Sequence, residues 1–514
     1  MIPKVLHIHP ADNVAVALAP LENRVGVATG NIEVTLAENI PAGHKLAIRP
    51  IRAQEKIFKY GHCIGHAMQD ISAGAWVHSH NLHTDLAEVL EYKYNPVSEV
   101  GFDFAQPHER RADERGHPER SRRVTFNGYR RANGKVGTRN EIWILNTVGC
   151  VNISAERIAK ICREKFADAN IDGVFSFSHP YGCSQLGDDL RYTQKVLAGL
   201  LRHPNAGGVL VLGLGCENNQ MAQLLNVAGE VDRSRLRFFN SQDVQDEIES
   251  GVAAIDELIE RMQHDARSEC PLSDLVLGMK CGGSDGFSGL TANPLVGRIS
   301  DIVTSHGGTV LLTEVPEMFG AEQQLMNRAT NEKVFQQVVA MINDFKNYFI
   351  DHKQPIYENP SPGNMAGGIT TLEEKSLGAI QKGGSAIVSQ VLDYGESAQR
   401  GGLALLQAPG NDGVSTTAEV ASGATMILFT TGRGTPLGLP VPTIKISSNT
   451  AIAQKKPQWI DFNAGALLDG AETMDGLAPQ LLDLVLKTAS GETKTKNEIH
   501  GYKEIAIWKD GVTL

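Results

Sequence analysis

Short apolar segments of strand type alternate along most of the chain with longer segments whose apolar residues recur at helical spacing. Runs such as LVLGM and VLVLG end in turns rich in glycine and polar residues. Segments such as SAERIAKICREKFA and EKVFQQVVAMINDFKNYF instead carry apolar residues at intervals of three and four. From residue 126 onwards this alternation predicts α/β layers with largely parallel sheets.

The first 90 residues have a different pattern. Short alternating segments such as VAVALAP, IEVTLAE and HKLAIRPI are separated by glycine and proline, which predicts a small all-β domain. The stretch GFDFAQPHERRADERGHPERSRR is dense in charge and has little to bury, which is typical of a linker or surface insertion. The predicted divisions are 1–90 (all-β), 91–125 (charged linker), 126–268 (α/β) and 269–514 (α/β).

Composition narrows the class of protein. The chain has 514 residues, 41% of them hydrophobic, and a formal net charge of −11, which disfavours nucleic acid or an anionic membrane as the main partner. No run reaches the roughly 18 apolar residues of a membrane helix, and the amino terminus lacks the apolar core of a signal peptide. Seven cysteines, an odd number, argue against a disulfide framework. We therefore expect a soluble cytoplasmic protein. The sequence is compatible with a homo-oligomer but does not decide the oligomeric state.

Several strand-like runs lead into polar turns, and ligands of parallel sheets bind beyond the carboxyl ends of the strands. Four cysteines follow such runs: Cys150, Cys183, Cys216 and Cys281. They are either small buried hydrophobes or ligands of a soft metal or an iron–sulfur cluster. After the last of them comes a turn of Gly282, Gly283, Ser284 and Asp285, whose backbone N–H groups could hold an oxyanion.

Two histidine groups suggest metal half-sites. His7 and His9 are two apart, with Asp12 shortly after them, and His78 and His80 are also two apart, so on a strand both rings of each pair would point the same way. The alternative is that these are half-exposed histidines without function.

Further polar residues occur at predicted strand ends and glycine-rich turns. Glu314 and Glu317 follow the run VLLT, Asn364 lies in PSPGNMAGG, and Arg433 lies in TGRGTP. Arginine is a common clamp for carboxylates, although both glycine-rich segments could equally be ordinary connections. The chain lacks an intact GxGxxG dinucleotide fingerprint and a GxxxxGK[ST] phosphate loop, so we propose neither NAD nor ATP.

Longer motifs carry a family resemblance. HPADNVAVAL, IPAGHKLAIRPI and DISAGAWVHSHN resemble the small β-clip "SAF" domain of sugar-acid dehydratases. The rest of the chain resembles the body of the altronate/galactarate dehydratase family, and its motifs are closer to those of the altronate branch. These motifs are YGCSQLGDD, GLGCENNQ, CGGSDGFSGLTANP, TEVPEMFGAE and NPSPGNMAGGITTLEEKSLG. The resemblance implies loss of water from D-altronate to give 2-dehydro-3-deoxy-D-gluconate, with a divalent metal, Fe²⁺ preferred and Mn²⁺ as a substitute.

That reaction needs a base at C2, an acid at C3 and stabilisation of an enediolate. Candidates for the base, the acid and supporting catalytic roles are His9, His44, Lys45, Glu314 and Glu317. Candidates for holding the substrate are Arg433, Gly282, Gly283, Ser284, Asp285 and Asn364. Candidate metal ligands are His9, Asp12, His78, His80 and the four strand-end cysteines. The alternatives are a dehydratase of galactarate or another sugar acid, an iron–sulfur hydro-lyase, and a non-catalytic sugar-acid-binding protein.

Overall fold

The N-terminal domain is small and entirely β. The structure is a computed structural model that describes residues 4–30, 32–86, 89–96 and 124–511. The strands of this domain are β1 (Val5–Leu6), β2 (Val14–Ala17), β3 (Gly26–Thr29), β4 (Ile32–Thr35), β5 (Lys45–Ala47), β6 (Lys56–Lys59), β7 (His62–Ala67), β8 (Trp76–Val77) and β9 (Leu82–His83). They pair antiparallel in three sheets, ordered β1-β2-β5-β8, β3-β4 and β6-β7-β9.

The second domain is a three-layer α/β unit. Its elements are β10 (Thr125–Arg130), β11 (Val136–Gly137), β12 (Glu141–Asn146), α1 (Asn152–Lys165), β13 (Gly173–Phe177), α2 (Gly187–Leu201), β14 (Ala206–Gly213), α3 (Met221–Ala228), β15 (Leu236–Asn240), α4 (Glu247–Met262) and β16 (Ser268–Pro271). A parallel sheet, β13-β12-β14-β15, lies between helices. One face packs on α1 and α4, and residues of the other face pack with α2 and α3. A small antiparallel sheet, β11-β10-β16, joins the beginning and end of this domain.

The C-terminal domain contains the larger sheet. Its elements are β17 (Val276–Cys281), α5 (Ala292–Ser305), β18 (Thr309–Leu312), α6 (Glu322–Met326), α7 (Glu332–Asp351), α8 (Pro362–Ala366), α9 (Leu372–Ala379), β19 (Val388–Leu392), β20 (Gly402–Leu406), α10 (Asp412–Ala421), β21 (Met426–Thr431), β22 (Thr443–Ser447), α11 (Thr450–Lys455), β23 (Phe462–Asn463), α12 (Met474–Ala489) and α13 (Lys496–Ile499). The strand order is β19-β20-β18-β17-β21-β22-β23, and every pairing is parallel. The predicted fold class, a small all-β domain followed by parallel α/β units, is confirmed.

The histidine pairs do not alternate along strands, because β1 ends at Leu6 and β8 ends at Val77, so His9, His78 and His80 all lie in turns. The charged stretch at 101–123 lies outside the described residues. Part of the predicted linker is described: Tyr92 donates to Oε1 of Glu322 (2.6 Å), and Tyr94 donates to the carbonyl of Ala329 (2.7 Å), so this segment packs on the C-terminal domain.

A buried charge cluster joins the all-β domain to the C-terminal domain. Glu374 of α9 accepts hydrogen bonds from Lys45 of β5 and Lys59 of β6, each at 2.7 Å. All three side chains are at most 1% exposed. Because buried charges require partners, these three residues specify how the two domains dock.

In the described part of the chain, no helix is long and apolar enough to cross a membrane.

Two histidines extend this contact to the segment around α8. Nε2 of His44 lies 3.4 Å from the carbonyl oxygen of Ala366, and Nε2 of His78 lies 3.0 Å from that of Met365. The indole N–H of Trp76 donates to Nδ1 of His44 at 3.2 Å, so Nε2 of His44 carries the proton. Both rings therefore support helix α8, which contains Asn364.

Candidate active site

The centre of the larger sheet brings a thiol and two carboxylates together. Cys281 is the last residue of β17, and Glu314 follows the end of the neighbouring strand β18. Glu314 adopts a left-handed backbone conformation (φ 68°, ψ 57°), which is uncommon for a residue other than glycine. Its Oε2 accepts a hydrogen bond from the backbone N–H of Cys281 at 3.2 Å. Strained conformations of this kind concentrate at functional sites.

Three buried lysines surround these groups. Lys280 forms an ion pair with Glu314 and lies 3.0 Å from Asp412. Nζ of Lys382 lies 2.7 Å from Sγ of Cys281 and 3.1 Å from Glu314.

The third lysine pairs with the second carboxylate. Lys375 and Glu317 form an ion pair at 2.9 Å, and Oε2 of Glu317 accepts from the Cys281 thiol at 3.2 Å. Each carboxylate thus has at least one ammonium partner.

This environment fixes the protonation states. Burial, reinforced by the charges of Glu314 and Glu317, raises the pKa of the Cys281 thiol far above its usual range, so the thiol stays protonated. Burial alone would raise the pKa of Glu317. The ammonium groups of Lys375, Lys280 and Lys382 outweigh that effect and lower it to about 2. At neutral pH the site therefore holds a neutral thiol beside an ionised carboxylate.

A cavity of about 540 Å³ opens onto this group. It is lined by Cys281, Gly282, Gly283, Glu317, Glu358, Asn359, Ser361, Pro362, Asn364, Lys375, Gly410, Asn411 and Asp412. A Cβ at Gly282 would lie 2.5 Å from Oδ2 of Asp412 and 2.7 Å from the ring of Phe429, so only glycine fits at that position. The volume lies within the usual range of small-molecule sites.

The donor atoms of Cys281, Glu314 and Glu317 lie close together, as the ligands of a metal ion would. Among the described ranges they form the one group of three ligand atoms that lie within 4.8 Å of one another. However, both oxygens of Glu314 contact ammonium groups, and those of Glu317 contact an ammonium group and a thiol. The thiol is itself protonated. A divalent cation between these atoms would adjoin three ammonium groups, so the arrangement does not fit a resident cation.

Comparison with known proteins identifies the family. Residues 3–85 match the model described as "Altronate/galactarate dehydratase SAF domain". Residues 128–263 match "D-galactarate dehydratase/Altronate hydrolase, second domain", and residues 272–513 match "D-galactarate/Altronate dehydratase, C-terminal". The chain is 51% identical over 510 residues to an altronate dehydratase of Escherichia coli (strain K12), covering 99% of both chains. This chain belongs to the D-galactarate/altronate dehydratase family.

Two further relatives support the assignment to the D-galactarate/altronate dehydratase family. An altronate dehydratase of Bacillus subtilis (strain 168) is 48% identical over 510 residues, with 99% of both chains covered. The galactarate dehydratase (L-threo-forming) of E. coli is 34% identical over 518 residues, covering 98% of this chain and 96% of that one. The family resemblance expected from the sequence motifs is confirmed.

In this member of the D-galactarate/altronate dehydratase family, several predicted site residues meet at one cavity. Cys281, Glu317, Gly282, Gly283 and Asn364 line it. Glu314 lies directly behind Cys281. Arg433 is exposed near the same wall, since a Cβ built on Gly363 would lie 3.9 Å from its Nε.

Asp285 and Ser284 are close by but do not line this cavity. The carboxylate of Asp285 is buried and accepts from Ser288 (2.9 Å), Ser448 (2.8 Å) and Asn449 (2.9 Å), so it ties the turn after β17 to the loop after β22. The backbone carbonyl of Ser284 accepts from the amide of Asn364 at 2.9 Å. In the structure both residues stabilise the walls.

Other predicted residues lie elsewhere. The carboxylate of Asp12 accepts from the backbone N–H groups of His9, Tyr60 and Gly61, which leaves it in a structural role within the all-β domain. His44, Lys45 and His78 lie at the domain contact described above, and the ring of His80 packs near Trp76. Cys150, Cys183 and Cys216 are exposed on the other parallel sheet, apart from the buried Cys281.

Sequence reasoning missed Lys280, Lys375, Lys382 and Asp412. One signal was present for Lys280, because a lysine inside the apolar run LVLGMKC must be buried if that run is a central strand. No comparable signal marks the other three.

Proposed function

We propose that this protein is a hydro-lyase that removes water from D-altronate to give 2-dehydro-3-deoxy-D-gluconate. The observation that carries this proposal is identity of 51% and 48%, over 99% of each chain, to two enzymes named altronate dehydratase. The galactarate dehydratase at 34% is more distant, which favours altronate as the substrate. A cavity that presents an ionised carboxylate, a neutral thiol and an ammonium group supports the same reaction class.

Substrate binding is the first step. D-Altronate carries one carboxylate, which would contact the ammonium group of Lys375 on the cavity wall, with the exposed guanidinium of Arg433 close to that wall. The hydroxyl groups would find partners in the polar side chains of Asn359, Asn364 and Asp412, which also line the cavity.

Proton removal is assigned to Glu317. Its low pKa depends on Lys375, so a substrate carboxylate that shares this ammonium group would raise the pKa of Glu317 and make it a stronger base. The C2–H bond then breaks, and negative charge develops on the substrate carboxylate. The ammonium group of Lys375 would stabilise that charge.

Loss of the C3 hydroxyl completes the elimination. Cys281 holds a proton and lies beside Glu317, so we assign it as the donor that turns the leaving hydroxyl into water. The C2–C3 double bond forms as the C3–O bond breaks, and the enol product becomes the 2-keto acid by tautomerisation. The proton on Glu317 then returns to the Cys281 sulfur, 3.2 Å away.

Mutation of Glu317 tests this function and its base. Glu317→Gln removes the proton acceptor with little change in shape, so we expect kcat on D-altronate to fall by about 10² to 10⁴-fold with a smaller change in KM. The matched control is Glu322→Gln, because Glu322 also forms a buried pair with a lysine, Lys346, at 2.9 Å but does not line the cavity. The control should retain wild-type turnover.

Three outcomes would contradict the proposal. Glu317→Gln that turns over altronate within about threefold of wild type would exclude Glu317 as the base. Faster turnover of galactarate than of altronate by the wild type would reassign the substrate. A wild type that binds sugar acids without turnover would favour the binding-protein alternative.

A further inference from the structure

Three exposed cysteines occupy equivalent positions at the carboxyl edge of the second domain's parallel sheet. Cys150 follows β12, Cys183 follows β13 and Cys216 follows β14, and these three strands are neighbours in the order β13-β12-β14. All three thiols are free and exposed, whereas Cys162 of the same domain is buried in α1. We propose that Cys150, Cys183 and Cys216 bind an iron–sulfur cluster.

The three loops are hydrogen-bonded into one unit. The N–H of Gly149 donates to the carbonyl of Tyr181 at 2.9 Å, which joins the Cys150 loop to the Cys183 loop. The N–H of Asn219 donates to the carbonyl of Gly182 at 3.0 Å, and the N–H of Ser184 donates to Oδ1 of Asn218 at 2.7 Å. The residues on both sides of Cys183 are thus fixed to the Cys216 loop. Such preorganisation is what a multidentate cofactor site needs.

Close backbone approach holds the loops in this arrangement. Gly182 has a φ of 101°, and a Cβ there would lie 2.1 Å from the carbonyl oxygen of Thr147. On the other side, the buried carboxylate of Glu217 accepts from the N–H groups of Leu214 (3.1 Å) and Gly215 (2.6 Å). The residue directly before each of Cys183 and Cys216 is therefore a fixed glycine, so the positions of their Cα atoms are determined by the fold.

Spacing favours a cluster over a single metal ion. A tetrahedral ion with metal–sulfur bonds of about 2.3 Å holds its sulfur ligands about 3.8 Å apart. The three cysteines are not a group whose ligand atoms all lie within 4.8 Å, the one such group in the described residues being Cys281, Glu314 and Glu317. At least one pair of the three sulfurs is therefore too far apart for a mononuclear site. A cluster, in which each thiolate binds a different iron, accepts the wider spacing.

The chemistry of binding is simple. Each of the three thiols releases its proton and binds one iron of a cluster assembled from iron and sulfide. In a [4Fe–4S] cluster with three protein ligands, the fourth iron keeps a position for water or an oxygen ligand of a small anion. This site is distinct from the cavity at Cys281, so its failure would leave the proposed function intact.

Iron and sulfide analysis tests the proposal. The full-length protein is purified without oxygen and reconstituted with ferric iron, sulfide and dithiothreitol as reductant. The wild type should then contain about four irons and four acid-labile sulfides per chain and absorb visible light. The variant C150S/C183S/C216S should lose at least nine-tenths of both, and each single variant at least half. Cys63→Ser, which changes a partly exposed thiol of the all-β domain, is the matched control and should keep wild-type content.

Other outcomes would overturn the inference. A wild type without sulfide after reconstitution excludes a cluster, and one zinc or iron without sulfide indicates a mononuclear site instead. Equal iron in the wild type and the triple variant shows adventitious binding. The thermal midpoint of each variant without iron should match that of the wild type, and if the triple variant does not fold, the single variants decide. Glu317→Gln should keep full iron and sulfide while losing turnover, which separates this site from the proposed active site.

Discussion

The buried carboxylate of Glu374 offers a decisive test of how the all-β domain is attached. It accepts from Lys45 and Lys59 of that domain and from the N–H (2.9 Å) and hydroxyl (2.8 Å) of Thr370 in its own domain. Although burial opposes ionisation, the two ammonium groups hold the pKa of Glu374 well below its usual range. Glu374→Gln keeps the shape of the side chain but leaves two buried ammonium groups facing a neutral amide.

The magnitude follows from the burial of the partners. Removing one member of a buried ion pair costs about 3 to 5 kcal/mol, because the remaining charge stays desolvated. The loss of Glu374 affects Lys45 more than Lys59, since burial already lowers the pKa of Lys45 to about 8. It would keep only its bond to the carbonyl of Gly368 at 2.9 Å. We expect docking of the all-β domain to weaken by about 3 kcal/mol, which is a factor of more than 100 in the undocked population.

Hydrogen exchange measures that population directly. Amides of β5 and α9 should exchange at least 100-fold faster in Glu374→Gln than in the wild type, while those of β12 and β14 should be unchanged. The control Glu322→Gln should leave β5 and α9 as in the wild type. Replacing all three charges, as in K45M/K59M/E374L, should restore protection, since an apolar substitute can equal a buried ion pair. Exchange in Glu374→Gln within twofold of the wild type would refute the reasoning.

Two further predictions concern pH and metal dependence. Burial, followed by the neighbouring His78, lowers the pKa of His44 from 6.5 to about 4. Because the unfolded chain then binds more protons, stability from neutral His44 is complete above pH 6.5 and is lost as pH falls towards 4, by at most about 3 kcal/mol. His44→Gln should flatten this dependence in unfolding experiments, and an unchanged pH profile would contradict it. Chelation separates the mechanism through Glu317 and Cys281 from the metal dependence that the family resemblance implies. Because the donor atoms of Cys281, Glu314 and Glu317 do not fit a resident cation, turnover should persist in a chelator; loss of activity that Fe²⁺ restores would contradict the metal-free mechanism.

The position of the cavity could largely be predicted from the sequence, although the order of the strands in the sheet could not. The runs ending at Cys281, Leu312 and Thr431 are long, apolar and flanked by polar turns, so their carboxyl ends were expected to meet at one edge of a parallel sheet. Glu317 and Gly283 follow such runs, whereas the prediction for Asn364 rests on its glycine-rich segment, and all three residues line the cavity.

The lysines could not be predicted in the same way. Lys382 contacts a thiol that is 101 residues away in sequence, and Lys280 pairs with a carboxylate 34 residues away. The turn Ile380–Gly383 after α9 packs against β17 and brings Lys382 to the thiol, whereas the pairing of β17 with β18 brings Lys280 to Glu314. The histidine pairs were expected on strand faces, but β1 ends at Leu6 and β8 ends at Val77. The two-residue alternation on which a strand-face metal pair depends is therefore absent at both places.

The all-β domain supports the cavity wall from behind. It contributes none of the lining residues in the described part of the chain, yet His44 and His78 contact the carbonyl groups of Ala366 and Met365, directly after Asn364. The amide of Asn364 in turn contacts Ser284 and Lys375, and Lys375 holds Glu317. A continuous chain of contacts therefore links the docking surface to the proposed base. Weaker docking should lower turnover through misplacement of Glu317, so the exchange rates of β5 and the loss of kcat should rise together across variants of Glu374 and His44.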